Sequence, residues 1–249
     1  MTRGLVVIAG LCCLIAACTA DQIAAREEAD AHYNLGVTHL AGGDAKQAIA
    51  ELDQAIGSVS SNAVYHNALG LAYLMDRRPD LAIASFQRAV KLDSSFSDAY
   101  NNLGSAYVQR AEYDEAVGAF KRALSNPAYL TPEQAHLNLG NVYMVRGQTA
   151  DAVVEFKRAL DVTPEFAEAH NRLGYAYLAQ GQVELAIAEL TLAVKYAPEL
   201  ATAYQSLGFA FLSAGEKERA KQAFQKVVDL SSTSEMSAEA MRQLKQLPQ

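Results

Sequence analysis

Three cysteines, five histidines and a surplus of carboxylates are the groups in this chain that could do chemistry, and their spacing argues against a catalytic centre. Cys12, Cys13 and Cys18 all fall in the first eighteen residues. The rest of the chain therefore has no internal disulfide, no CxxC pair and no Cys/His zinc pattern. His32, His66, His136 and His170 occupy one recurring position, at least 34 residues apart, and His39 takes a position otherwise filled by rings. Such separation is too wide for a shared ion, whose ligands must lie about 2 Å from it, so packing roles are expected for all five. Nucleophile-elbow, HExxH, phosphate-loop and dinucleotide fingerprints are absent from the sequence. Acidic pairs such as Glu27-Glu28 are expected in water. The chain is thus expected not to be an enzyme, with no cofactor, metal or small-molecule substrate. A net charge of −7 and a pI near 5.3 repel phosphate backbones, which excludes nucleic acid as a natural partner.

The cysteines make sense as part of an address. Arg3 precedes an apolar run from Leu5 to Ala17, shorter than the roughly 20 residues a membrane span needs and suited to a secretory signal. Its end, Ile15-Ala16-Ala17-Cys18, resembles the lipobox of bacterial lipoproteins. That resemblance implies a signal peptide over 1–17, lipidation of Cys18 and a lipid anchor in the membrane. Thr19 stands where an Asp would resemble an inner-membrane retention signal, which implies the periplasmic face of the outer membrane. The alternative is an ordinary signal cut near Ala20. Residues 18–28 are then the lipidated cysteine and a short tether, which if extended reaches at most about 35 Å.

Repetition decides the fold. Leu-Gly pairs stand at Leu35-Gly36, Leu69-Gly70, Leu103-Gly104, Leu139-Gly140, Leu173-Gly174 and Leu207-Gly208, with spacings of 34, 34, 36, 34 and 34. Twelve residues past each Gly is an Ala, and sixteen past it is Leu52, Phe86, Phe120, Phe156, Leu190 or Phe224. The period and the pattern resemble the tetratricopeptide repeat. The resemblance implies an all-α, right-handed superhelical solenoid of six helix pairs, over 29–62, 63–96, 97–132, 133–166, 167–200 and 201–234. Gly and Ala let paired helices approach, and each repeat buries its apolar face on the next. Gly42-Gly43-Asp44, Gly147-Gln148 and Gly181-Gln182 mark turns, with Asp76-Arg77-Arg78-Pro79-Asp80 as a polar substitute. Residues 235–249 are expected as a capping helix and tail, with Met241, Leu244 and Leu247 as its apolar stripe.

In that family the first helix of each repeat lines a concave groove. The resemblance therefore implies a partner groove of Tyr33, Val37, Val64, Asn67, Leu71, Asp98, Asn101, Ser105, Gln134, Leu137, Asn141, Asn171, Tyr175, Gln205 and Phe209. Leu40, Leu74, Leu178 and Leu212, at neighbouring positions, are expected in the core. A file of amides can donate to and accept from a peptide backbone, and the apolar residues suit either alternate side chains of a strand or an amphipathic helix. None of these positions is Lys or Arg, which disfavours a carboxylate clamp.

The link Ser125-Asn126-Pro127-Ala128-Tyr129-Leu130-Thr131-Pro132 carries two extra residues and two prolines. With the lipobox, the six repeats and Asn102, Tyr113 and Ala116, it makes the chain similar to the lipoprotein pilotins of type IV pilus biogenesis. That similarity implies a protein partner, a secretin subunit whose localisation and assembly it aids. A cell-envelope adaptor for peptidoglycan enzymes or a polysaccharide export machine would use the same fold and anchor.

Overall fold

In the computed structural model, backbone is described for residues 2–231 and 235–247, and side chains for 21–231 and 235–247. The signal segment and Cys18 lie outside the described side chains. Among the described residues the only regular structure is helical, in thirteen helices: α1 (Thr2–Ala41), α2 (Ala45–Ser58), α3 (Ala63–Met75), α4 (Pro79–Leu92), α5 (Ser97–Gln109), α6 (Tyr113–Leu124), α7 (Pro132–Val145), α8 (Thr149–Val162), α9 (Ala167–Ala179), α10 (Val183–Tyr196), α11 (Ala201–Ser213), α12 (Lys217–Leu230) and α13 (Glu235–Gln246). They divide into two compact units, Met1–Asn126 and Pro127–Gln249. The chain passes from one to the other inside the proline-bearing link, where the repeat period is broken. Each unit holds three helix pairs, and the second also holds α13.

Within each pair a missing side chain sets the approach of the helices. A Cβ added to Gly70 would sit 2.4 Å from the Phe86 ring, and one on Gly174 would sit 2.5 Å from Leu190 Cγ. The large partner therefore fills the space the glycine vacates, and Phe86, Phe120, Phe156, Leu190 and Phe224 are fully buried. Alanines at the recurring position, Ala48 to Ala220, are buried with them. Neighbouring pairs then share clusters. Ala48, Leu52, Ala68, Leu69 and Ala72 join repeats one and two. Ala82, Phe86, Leu103, Ala106 and Ala119 join two and three. Leu40 packs on the first cluster and Leu74 on the second, as core residues should.

Every turn inside a pair uses one device. The residue after the helix cap takes a left-handed conformation: Gly43, Arg77, Ala111, Gly147, Gly181 and Gly215, at φ from 57° to 78°. Its N–H bonds back to the last turn, and the next N–H reaches further back, as in Gly181 to the Leu178 carbonyl (2.9 Å) and Gln182 to the Tyr177 carbonyl (2.9 Å). This double bond satisfies carbonyls that a helix end leaves orphaned.

Two expectations differ from the structure. From Asp21 onward the tether stretch is helical and continuous with the first repeat, because Ala24, Ala25, Arg26, Glu27 and Glu28 are all strong helix formers. A helix advances about 1.5 Å per residue, so this stretch reaches less than half as far as an extended one. In α13 the buried residues are Ser237 and Ala240; of the expected stripe Leu244 and Leu247 are half-buried and Met241 is exposed. Small residues sit there because α13 lies close against α12.

Candidate functional site

Three of the histidines do the same job. His32 on α1, His136 on α7 and His170 on α9 each place Nδ1 2.7 Å from a carboxylate on the second helix of their own repeat: Glu51, Glu155 and Glu189. His170 Nε2 also donates to the Pro164 carbonyl at 2.9 Å. Both partners can accept, so the site favours a proton on each ring nitrogen. Burial disfavours that charge, yet the Glu189 hydrogen bond, the Pro164 carbonyl and the Glu189 charge outweigh it and hold the His170 pKa above its ordinary value. The carboxylate partner was legible in the sequence as a spacing of 19 and went unread. His66 has Ser85 at that distance and bonds the Ser60 carbonyl instead, while Tyr100 and Tyr204 face Ala119 and Ala223. A charged pair and a large-small pair are alternative ways to close the same gap. Among the described residues no group of three or more His, Cys, Asp or Glu is placed to hold a metal ion.

In the first unit, the exposed apolar residues cluster on the first helices: Leu35, Val37, Val64, Leu71, Met75 and Val108. Leu35 stands out. It is 49% exposed, whereas its equivalents Leu69 and Leu103 are 7% and 6% exposed. Those two are covered by the second helix of the preceding repeat, and no preceding repeat covers Leu35. Asp98 is also exposed, while Asn101 and Ser105 are half-buried. Asn67 is tied down, accepting at 2.9 Å from Asn102 Nδ2 on α5 and so bridging two repeats. Tyr33 is stacked on Tyr65, with ring centroids 5.2 Å apart, and is part of the packing. Tyr65 in turn donates to Asp30.

In the second unit, the first helices form a cleft of about 510 Å³ lined by Asn141, Met144, Val145, Arg172 and Tyr175. A second recess shares Arg172 and Tyr175 and adds Asn171, Thr202, Gln205 and Ser206. Tyr175 and Gln134 are exposed, and Asn141 and Gln205 half-buried. Two of the expected contact residues are instead packed. Leu137 is buried, because its side of α7 faces the unit's core. Asn171 is buried, with Nδ2 3.4 Å from Thr202 Oγ1 and Oδ1 unpartnered. Phe209 is half-buried with its ring edge on Phe224 at 5.2 Å. Leu178 and Leu212 are half-buried. Sequence reasoning missed Arg172. It lies four residues past Glu168, which it pairs with at 2.8 Å, and that i,i+4 spacing put it on the groove side of α9. The first-helix face of this unit therefore does carry a cation.

Among the described residues no helix is long and apolar enough to cross a membrane. Models of the tetratricopeptide repeat match residues 15–63 and 67–132, 167–200 and 201–234, and a TPR-repeat model matches 140–181. No curated protein matches the chain. Among solved structures the chain is similar to PilW, described as a widely conserved type IV pilus biogenesis factor, with a TM-score of 0.78 at 23% identity over 86% of this chain and 98% of that one. It is similar to PilF of Pseudomonas aeruginosa, with a TM-score of 0.77 at 20% identity over 88% and 99% of the two chains. YrrB, described as a TPR protein with an unusual peptide-binding site, gives 0.59 at 22% identity over 77% and 97%. The glycine-to-ring contact inside each helix pair, the sharing of clusters between successive pairs and the matched models together place this chain in the tetratricopeptide-repeat family of protein-interaction scaffolds.

Proposed function

We propose that the chain is an outer-membrane lipoprotein that acts as a pilotin, binding subunits of a type IV pilus secretin and aiding their delivery and assembly. It works by binding, without turnover. The observation that carries the reading is the exposed apolar surface of the first unit: Leu35 is open on the side of α1 that no preceding repeat covers, and Val37, Val64 and Leu71 are open on the first helices. A solenoid end normally needs a polar cap, so an apolar end is a place for a guest. Likeness in fold to PilW and PilF over nearly their whole length supports the class of partner. The Ile15-Ala16-Ala17-Cys18 sequence supports the anchor, with Cys18 as the lipid-bearing residue and residues 1–17 removed. Asp98, Asn101 and Ser105 extend the contact in the first unit. In the second unit Gln134, Asn141, Tyr175 and Gln205 offer a further first-helix face, and likeness in fold to YrrB makes a peptide a reasonable occupant there.

The test is affinity capture from detergent-solubilised envelopes, with the captured protein identified by mass. Wild type retains the pilus secretin, and Leu35→Asp with Leu71→Asp loses it. Both side chains are exposed, so the variant keeps its helical circular dichroism. Secretin retained in full by the variant contradicts the proposed surface. Capture of peptidoglycan enzymes or an export machine in its place contradicts the pilotin role and favours an envelope adaptor. Cys18→Ser leaves the protein in the soluble periplasmic fraction; persistence in the membrane fraction counts against the anchor.

A further inference from the structure

The second-helix side of the second unit holds a recess unlike either first-helix face. Its floor is apolar: Leu207 and Phe211 of α11 and Ala223 of α12, all buried. Tyr204 lines one wall, and the rim is set by Arg219 and Lys226 of α12. The opening exists because Tyr204 faces Ala223, where repeats four and five place a histidine and a glutamate. In repeat three, with the same Tyr-Ala pairing, the gap is spanned: Gln87 donates to the Tyr107 hydroxyl at 3.0 Å, and Arg122 lies over the Tyr100 ring. Among the described residues no such bridge spans repeat six. Thr191, at the position of Gln87, bonds its own helix at the Ile187 carbonyl.

The polar groups around this recess are in part uncommitted. Among the described residues Lys226 has no ion pair and neither Tyr204 nor Gln222 has a side-chain hydrogen bond. Arg219 lies over the Phe211 ring, its guanidinium carbon 4.0 Å from the centroid, and donates to Glu216. Seven residues separate the two rim cations, or about 10 Å along the helix. The helix that carries them has Lys217, Arg219, Lys221 and Lys226 against Glu218 and Asp229, a local excess of positive charge in a chain of net charge −7.

We infer that this recess is a second docking site, for an acidic segment of a protein partner that inserts one apolar side chain between flanking carboxylates. The apolar floor takes the side chain, and Arg219 and Lys226 hold the carboxylates on either side. An acidic partner is repelled by most of this surface and steered to α12, because complementary charge selects the patch as well as the partner. This site is independent of the apolar end of the first unit and is read on different residues.

The probe is a synthetic peptide, Asp-Asp-Phe-Asp-Asp with blocked ends, titrated into the full chain and followed by methyl chemical shifts of Leu207 and Val227. We expect saturable shifts at Leu207, weakening with added salt, and about tenfold weaker binding to Lys226→Glu, whose exposed position leaves the fold intact. The Asn-for-Asp and Ala-for-Phe peptides should each bind more weakly than the parent. Shifts at methyls of α7 and α9 with Leu207 unmoved, or binding unchanged by Lys226→Glu, would overturn the assignment. So would failure of the peptide to bind while vesicles of phosphatidylglycerol do so in a Lys226-dependent way, since that result assigns the cations to a lipid surface.

Discussion

The two units are built from one repeat and close their turns differently. In the first, the left-handed position holds Gly43, Arg77 and Ala111, whereas in the second it holds Gly147, Gly181 and Gly215. A Cβ in that conformation costs about 1–2 kcal/mol. Two of three turns in the first unit therefore carry backbone strain that the second avoids. The histidine-carboxylate braces follow the same division: one in the first unit, His32–Glu51, and two in the second, His136–Glu155 and His170–Glu189. The unit with the two non-glycine turns is also the one that leaves the leucine of its first Leu-Gly pair, Leu35, in water.

The largest test of this contrast is the packing that the units share. Phe86→Ala should cost about 3–5 kcal/mol, read as amide-exchange protection lost from α3 and α4. Because repeats couple mainly to their neighbours, protection in α9 and α10 should persist. Loss across the whole chain would show that the units unfold as one. The turns come next. Gly181→Ala should destabilise the second unit by about 1–2 kcal/mol, while Arg77→Gly and Ala111→Gly should each stabilise the first by up to about 1 kcal/mol. Thermal denaturation of the three variants checks the signs, and a loss on either change to Gly breaks the comparison. The smallest effect concerns pH. Because the folded His170 pKa is raised, its contribution is full below the unfolded value of about 6.5 and fades as pH rises through the folded value. Stability of the second unit should therefore fall across that window on raising the pH, and His170→Gln should flatten the dependence. An unchanged slope would remove His170 as its source.

Much of the fold was legible because the repeat writes its packing rule in pairs. Each glycine sits sixteen residues before the ring or leucine that fills its space, and any reading that finds the period finds the contact. The turns at Gly43, Gly147 and Gly181 were equally plain, but Ala111 offered no sign, because its conformation is imposed by the helices on either side. The contact surface was harder. Position along a first helix does not say how much a neighbour covers: Leu137 and Asn171 sit on the expected helices and are buried, and Tyr33 is stacked on Tyr65. Leu35 escaped for the opposite reason. It holds the same repeat position as Leu69, each followed by glycine, and only the absence of a covering repeat exposes it. The division near Asn126 falls in the link that carries two extra residues and two prolines.

The most direct test is a photo-crosslinking amino acid placed singly at Val37, Leu71 and Leu185 in living cells. The account predicts adducts with a large outer-membrane protein from positions 37 and 71, on first helices of the first unit, and none from the equally exposed position 185 on α10. Adducts from position 185 with silence at 37 and 71 would contradict it.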